Sequence, residues 1–143
     1  MGLNIYCKDI DKDVSFPYSY FMRIREAISD AIGLPIYFME YFLETRDVQL
    51  QTIQNINSIH EIYRVGLPIS WDIVKSDELH KLICHSDCDG KLSWRAVGKI
   101  AKRLKEIKEL IKFDKFGIHE KIYDELIELF IEANKIKKDI FFG

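Results

Sequence analysis

The segment from Trp94 to Ile111 constrains the fold of this chain most strongly, because its apolar residues recur at steps of three or four. This spacing predicts an amphipathic helix whose apolar stripe faces a core. Ser93 is a suitable N-cap, since its hydroxyl can accept a hydrogen bond from the first turn. The stripe consists of Trp94, Val97, Ile100, Ala101, Leu104, Ile107, Leu110 and Ile111, and the side chains expected in water are Arg95, Lys99, Lys102, Lys105 and Lys108.

Other segments of the chain have the same periodicity and can cover this stripe. Helices are predicted from near Pro17 to Gly33, over residues 47–64, after Ser70 and over residues 118–138. Residues 2–7 alternate between Leu3, Ile5 and Cys7 on one face and polar or aromatic side chains on the other, which predicts a strand. Residues 140–142 are a second short strand, and residues 9–13 a polar loop.

These elements predict a mainly α fold: a compact helical domain of about five helices with a small two-stranded sheet formed by the chain termini. The chain has 143 residues, of which 48% are hydrophobic and 31% charged, a balance typical of one globular domain over residues 1–143. No apolar run approaches the roughly 20 residues that span a bilayer. The N-terminus lacks the pattern of a signal peptide, and three cysteines suit a reducing compartment, so we expect a cytoplasmic protein without a membrane partner.

The polar box at residues 85–93, with the sequence His-Ser-Asp-Cys-Asp-Gly-Lys-Leu-Ser, gathers reactive side chains between two predicted helices. Asp87, Asp89 and Gly90 match three positions of an EF-hand calcium loop. His85 stands where the first oxygen ligand belongs, however, and Ala96 stands where the bidentate glutamate belongs. The box is therefore at most a degenerate calcium loop.

Three further interpretations of the box remain open. His80, Cys84, His85 and Cys88 are zinc-type ligands, although their spacing matches no established zinc motif. Alternatively, His85 could activate a cysteine nucleophile. The interpretation that we favour is a tight turn, in which the aspartates bond backbone amides and the glycine supplies a left-handed conformation.

The box also resembles one found in small uncharacterised proteins of bacteria and phages. The opening at residues 2–6, the segment at residues 18–25 and the end at residues 140–142 are similar to the same regions of those proteins. The resemblance implies grouping with a phage-like or mobile-element accessory protein, but it implies no particular activity. Trp94, Arg95 and Ala96 depart from the acidic residues that this group often has after the box.

Aromatic residues make up 13% of the chain, and several tyrosines stand beside arginines in residues 18–41. Tyrosine commonly places its ring at a rim and its hydroxyl in water, and arginine forks a carboxylate or phosphate. The cluster consists of Tyr18, Tyr20, Arg23, Arg25, Tyr37 and Tyr41. It predicts a surface for a partner protein or for a nucleotide-like anion.

The leading hypothesis is a non-enzymatic binding or inhibitor protein that sequesters a partner protein or a small anionic, nucleotide-like ligand. The predicted ligand-binding residues are His85, Asp87, Asp89, Trp94, Arg95, Tyr18, Tyr20, Arg23 and Arg25. No catalytic residue, metal ligand or cofactor is predicted, and a homo-oligomer is allowed. A nucleic-acid partner is not expected, because the net charge is −2. The alternatives are a degenerate EF-hand-like metal-binding domain and a Cys/His-dependent enzyme.

Overall fold

The computed structural model describes residues 2–34, 36, 77–86 and 89–143. The chain divides into two compact units, residues 1–34 with 77–143 and residues 35–76, and the strands and helices given below belong to the first. The helix predicted over residues 47–64, the start of the helix after Ser70 and the positions of Tyr37, Tyr41, Asp87 and Cys88 lie outside the described residues. The assignment of a single domain stays a prediction.

Four antiparallel strands form one sheet in the order β2-β1-β4-β3. The strands are β1 (Gly2–Tyr6), β2 (Asp13–Pro17), β3 (Lys91–Leu92) and β4 (Ile140–Phe142). β1 pairs with β4 through Ile5 opposite Phe142 and Tyr6 opposite Phe141. The first and last strands of the chain therefore lie side by side at the centre of the sheet.

The prediction of a mainly α fold with a two-stranded sheet is wrong, because β2 and β3 extend the sheet and make the fold mixed α/β. Pro17 was the source of the error, since proline suits both a helix start and the end of an edge strand. Val14 and Phe16 are buried and alternate with exposed neighbours, which is the pattern of a half-buried strand. β3 falls inside the predicted loop and has only two residues, too few for alternation to mark it.

Within the described ranges, three long helices accompany the sheet, together with two single-turn helices. They are α1 (Tyr18–Ile32), α2 (His80–Ile83), α3 (Trp94–Ile107), α4 (Phe113–Phe116) and α5 (Glu120–Ile136), and a 3-10 turn (Lys108–Leu110) follows α3. The Ser93 hydroxyl accepts from the Ala96 amide at 3.2 Å, which confirms the predicted cap. α1 ends at Gly33 with φ of 73°, a left-handed conformation that glycine adopts without a steric cost.

The apolar stripe of α3 is buried along most of its length, as predicted. Val97, Ile100 and Leu104 are fully buried, whereas Leu110 is 57% exposed, because the chain leaves the α-helix for the 3-10 turn before it reaches this residue. α3 and α5 pack against each other at Gly98. A Cβ placed there would lie 2.3 Å from the Asn134 amide nitrogen, which donates to the Trp94 carbonyl at 2.9 Å.

The inner face of the sheet forms the core together with α1. Leu3, Ile5 and Ile140 are among the buried residues of this face. The Phe21 ring of α1 lies 6.2 Å from the Phe16 ring and 6.0 Å from the Phe142 ring, so it joins the edge strand β2 to the central strand β4. In the described ranges, no helix combines the length and the apolar character that a bilayer crossing requires.

Candidate functional site

The box at residues 85–93 closes around the His85 side chain. The His85 ring stacks on Phe142 with 3.9 Å between ring centroids. Its Nδ1 lies 2.8 Å from the Ser86 carbonyl oxygen and its Nε2 lies 3.3 Å from the Lys91 carbonyl oxygen. Both nitrogens thus face backbone oxygens of the box, and the described residues of the turn pack around the ring.

Gly90 also lies next to the His85 ring. Its φ is 101°, and a Cβ at this position would lie 3.2 Å from the His85 Cε1 atom. The Gly90 carbonyl accepts from the Phe142 amide at 2.9 Å, and the Ser86 hydroxyl donates to the Asp89 carboxylate at 2.8 Å. The positive φ of Gly90 agrees with the turn interpretation of the box, whereas the backbone hydrogen bonds of its aspartates stay a prediction. The bond between Gly90 and Phe142 holds the start of β3 beside β4.

Arg25 reaches the box from inside the domain. It is 6% exposed, it donates to the His85 carbonyl, and its guanidinium lies 4.1 Å from the Phe21 ring centroid. The structure therefore brings two predicted site residues, the buried Arg25 and the half-buried His85, into contact. Nearby, burial raises the pKa of the Cys84 thiol, an effect that the positive charge of Arg25 only partly offsets.

Three other residues of the tyrosine–arginine cluster, Tyr18, Tyr20 and Arg23, lie on other parts of α1. The Tyr20 ring packs 5.3 Å from Phe16, and its hydroxyl accepts from the His119 amide at 2.7 Å. Tyr18 is half-buried and Arg23 is exposed. Tyr20 therefore ties α1 to the start of α5, whereas Arg25 is directed at the box.

Among the described residues, no group of three His, Cys, Asp or Glu side chains is placed to hold a metal ion. Asp87 and Cys88, which the calcium and zinc interpretations require, are outside those residues. His80 Nδ1 lies 3.2 Å from the Asp77 carbonyl oxygen, a contact within its own turn.

The outer face of the sheet carries a pair of aromatic rings. Tyr6 and Phe141 are cross-strand neighbours with ring centroids 5.7 Å apart and planes inclined by 25°. Both rings are half-buried, and Lys91 stands opposite Phe141 on β3. The Lys8 ammonium lies 4.6 Å from the Phe141 ring centroid, a cation–π distance.

A shallow cleft of about 400 Å³ opens beside this ring pair. It is lined by Lys8, Asp9, Lys137, Lys138, Asp139 and Phe141. Lys138 pairs with Asp9 at 3.3 Å, and Lys91 pairs with Asp139 at 3.6 Å. These lysine and aspartate side chains are more exposed than buried, except Asp139 at 29%, so water screens both pairs.

Trp94 extends this surface beyond the cleft. Its ring centroid lies 4.8 Å from the Arg95 guanidinium and 5.9 Å from the Lys137 ammonium, and Lys137 also lines the cleft. The Trp94 amide donates to the Asp139 carboxylate at 3.0 Å, which fixes the start of α3 beside β4. We call this surface the basic–aromatic face; it comprises Tyr6, Lys8, Lys91, Trp94, Arg95, Lys137, Lys138 and Phe141.

Sequence reasoning named Trp94 and Arg95 but none of the other residues of the basic–aromatic face. Alternation along residues 2–7 placed Tyr6 on the face opposite Leu3 and Ile5, which is confirmed. No local signal joins Tyr6 to Phe141 or Lys137, because their proximity comes from pairing between the two ends of the chain.

Comparisons with protein-family models, with curated proteins and with solved structures gave no match for this chain. The resemblance of the box to small bacterial and phage proteins therefore stays a prediction.

Proposed function

We propose that this chain is a non-enzymatic cytoplasmic binding protein whose basic–aromatic face holds an anionic ligand with a planar ring, such as a nucleotide. The observation that carries the proposal is the Tyr6–Phe141 pair, with Lys8 over one ring and a lysine-lined cleft beside it. Of the two partner classes that the sequence leaves open, a protein or a nucleotide-like ligand, this chemistry favours the second.

Each part of the ligand has a complementary group on the face. A base can stack on the exposed part of Tyr6 or Phe141, a contact that every base can make through its π-face. Lys8 has a flexible, exposed side chain. Its ammonium can therefore move from the Phe141 ring to a phosphate with the loss of only a weak cation–π contact. Lys137 and Lys138 offer two further positive charges in the adjoining cleft.

Binding rather than catalysis by a Cys–His pair is supported by the surroundings of Cys84, Cys7 and His85; Cys88 lies outside the described residues. Burial raises the pKa of Cys84, which keeps its thiol protonated and weakly nucleophilic at neutral pH. Cys7 is buried. The His85 ring is held between Phe142 and the backbone of its own turn, with both nitrogens near carbonyl oxygens.

Isothermal titration calorimetry with adenosine 5′-diphosphate at low ionic strength tests this function. We expect Phe141→Ala to weaken binding about tenfold, the loss of one stacking contact. The matched control is Phe116→Ala, because Phe116 is also half-buried and also lies under a lysine, with Lys115 at 5.3 Å.

A second pair of variants tests the charge. We expect Lys137→Asn to weaken the binding of adenosine 5′-diphosphate and Lys115→Asn to leave it unchanged, because only Lys137 lines the cleft. Asparagine suits position 137, whose φ is 56°, since it tolerates the left-handed conformation. No heat with the wild-type protein, or equal losses in the control variants, would overturn the proposal.

A further inference from the structure

We infer that the ligand of the basic–aromatic face is a single-stranded nucleic acid, bound across two ring sites, rather than an isolated nucleotide. The inference rests on the proposed function and adds the length and strandedness of the ligand. It follows from the separation of the aromatic sites, from the number of cations and from the openness of the sheet.

The face has two aromatic sites, and one lysine borders both. The first site is the Tyr6–Phe141 pair on the sheet. The second is Trp94 at the start of α3, outside the cleft that Phe141 lines. Lys137 lies 5.9 Å from the Trp94 ring centroid and also lines that cleft. An isolated nucleotide has one base and can occupy one site, whereas a strand can place different bases on both with phosphates passing Lys137.

The charge of the face exceeds what one nucleotide needs. Lys8, Lys91, Arg95, Lys137 and Lys138 supply positive charge along the surface. The carboxylates beside Phe141 and the cleft are Asp9 and Asp139, which pair with Lys138 and Lys91. Asp11 and Asp13 line a separate cavity on the β2 side of Tyr6. Exposed pairs of this kind are weak, so phosphates can compete for the lysines. A strand carries one phosphate per nucleotide and releases counterions at each contact.

The geometry of the sheet selects a single strand over a duplex. The rings lie on the outer face of an antiparallel sheet whose Asp13, Ser15 and Lys91 are exposed. Bases in a duplex are stacked on each other and paired, so they cannot lie on such rings, whereas unstacked bases can. Aromatic rings on an open sheet are a general means of binding single strands.

Asp13 constrains the path that a nucleic-acid strand takes across the sheet. Asp13 stands opposite Tyr6 on β2, which is the edge away from β4. A phosphate would be repelled there and attracted on the opposite side, toward Lys137 and Trp94. The net charge of −2 describes the whole chain, whereas this local excess of cations determines the binding surface.

Fluorescence anisotropy with labelled ten-nucleotide thymidine DNA and uridine RNA tests the inference. Thymidine 5′-monophosphate and unlabelled thymidine oligomers of two, four and eight nucleotides serve as competitors. We expect affinity to rise at least tenfold from the monophosphate to the longest oligomer. The logarithm of the binding constant should fall against the logarithm of salt concentration with a slope of about −2, as for three contacted phosphates on a single strand.

Variants at the second ring site give the sharpest readout. Trp94→Ala should weaken the eight-nucleotide oligomer about tenfold, the loss of one stacked base, and Phe116→Ala should not. Lys137→Asn should make the salt slope shallower by about 0.7, the contribution of one phosphate contact. This variant also tests the inference if Trp94→Ala disturbs the start of α3, because it leaves the Trp94 side chain in place. The probe that binds more tightly, DNA or RNA, shows whether the face prefers deoxyribose or ribose in the strand.

The outcomes separate this inference from the proposed function. Equal affinity for the monophosphate and the oligomers, with a salt slope that Lys137→Asn leaves unchanged, would overturn the single-strand inference and leave nucleotide binding in place. Equal or tighter binding of a ten-base-pair duplex would also overturn it. No binding of monophosphate, adenosine 5′-diphosphate or oligomer would overturn both.

Discussion

The two faces of the sheet are built from the same strands but differ in burial and in the side chains that surround them. On the inner face, Ile5 and Phe142 are almost fully buried and Phe142 supports the His85 ring. On the outer face, the adjacent residues Tyr6 and Phe141 are half-buried and lie among lysines. Aromatic residues therefore occur on both faces, and only their surroundings distinguish a core ring from a ring that we propose as a binding site.

An aromatic count alone therefore does not locate a binding surface. A ring surrounded by aliphatic side chains contributes to stability through burial, at about 25 cal/mol for each Å² removed from water. A ring beside flexible cations keeps part of its surface available to a ligand. Substitutions at neighbouring positions should therefore separate stability from binding.

The largest effect is expected at Phe142. Phe142→Ala should lower the free energy of unfolding by about 3–5 kcal/mol, because it leaves a cavity between Phe21 and His85. Phe141→Ala should cost no more than about 1 kcal/mol, the size of one cross-strand pair. Urea denaturation followed by circular dichroism measures both values. Similar losses for the two variants would mean that the outer ring is also part of the core.

A somewhat smaller effect is expected where α3 faces the core. Leu104 is fully buried, so Leu104→Ala should cost about 2–5 kcal/mol. The next residue, Lys105, is exposed, and Lys105→Ala should change stability by less than about 0.5 kcal/mol. Thermal unfolding of the two variants gives the comparison. A loss below about 0.5 kcal/mol for Leu104→Ala would contradict the orientation of the helix.

The turn that attaches β3 should be moderately sensitive. Gly90→Ala should cost about 1–3 kcal/mol, because alanine is strained at a φ of 101° and its Cβ would press on His85. Gly33→Ala is the control, since Gly33 also has a positive φ but has no atom within 4 Å of the added Cβ. Chemical denaturation should show the larger loss at Gly90. Equal losses would mean that the His85 contact contributes nothing beyond backbone strain.

The smallest effect on stability is expected for the ion pairs of the basic–aromatic face. Lys138→Gln should change the free energy of unfolding by less than about 0.5 kcal/mol, because both partners of the pair with Asp9 are 56% exposed. The same variant should weaken ligand binding, since Lys138 lines the cleft. A stability loss above about 1 kcal/mol in differential scanning calorimetry would assign the lysine to the fold instead.

Periodicity was sufficient to predict α1, α3 and α5, because each buries apolar residues at helical spacing. It was insufficient for β2, whose Val14 and Phe16 stand between a polar segment and Pro17. Both Leu110 and Ile136 fit the helical pattern but are exposed, since they lie where the helices end. Local patterns therefore identified most long elements and misjudged their ends.

The candidate site was only partly predictable, because its residues come from separate parts of the chain. Trp94 and Arg95 were among the predicted ligand-binding residues, and they belong to the basic–aromatic face. Lys8 and Phe141 gave no signal, since nothing in either local sequence indicates that they meet. Conversely, Arg25 carried the expected chemistry of a ligand contact but lies buried against the His85 carbonyl.

The central position of β4 has a consequence for the synthesis of this protein. β1 and β2 are close in sequence and can form their hairpin early. The other neighbour of β1, the strand β4, is synthesised much later. Until Ile140–Phe142 emerges, the second edge of β1 has unpaired amides and carbonyls, which are groups that other chains can recognise. Pairing across such a long separation is slow. Each nascent chain therefore passes through a period in which one edge of β1 has no strand beside it.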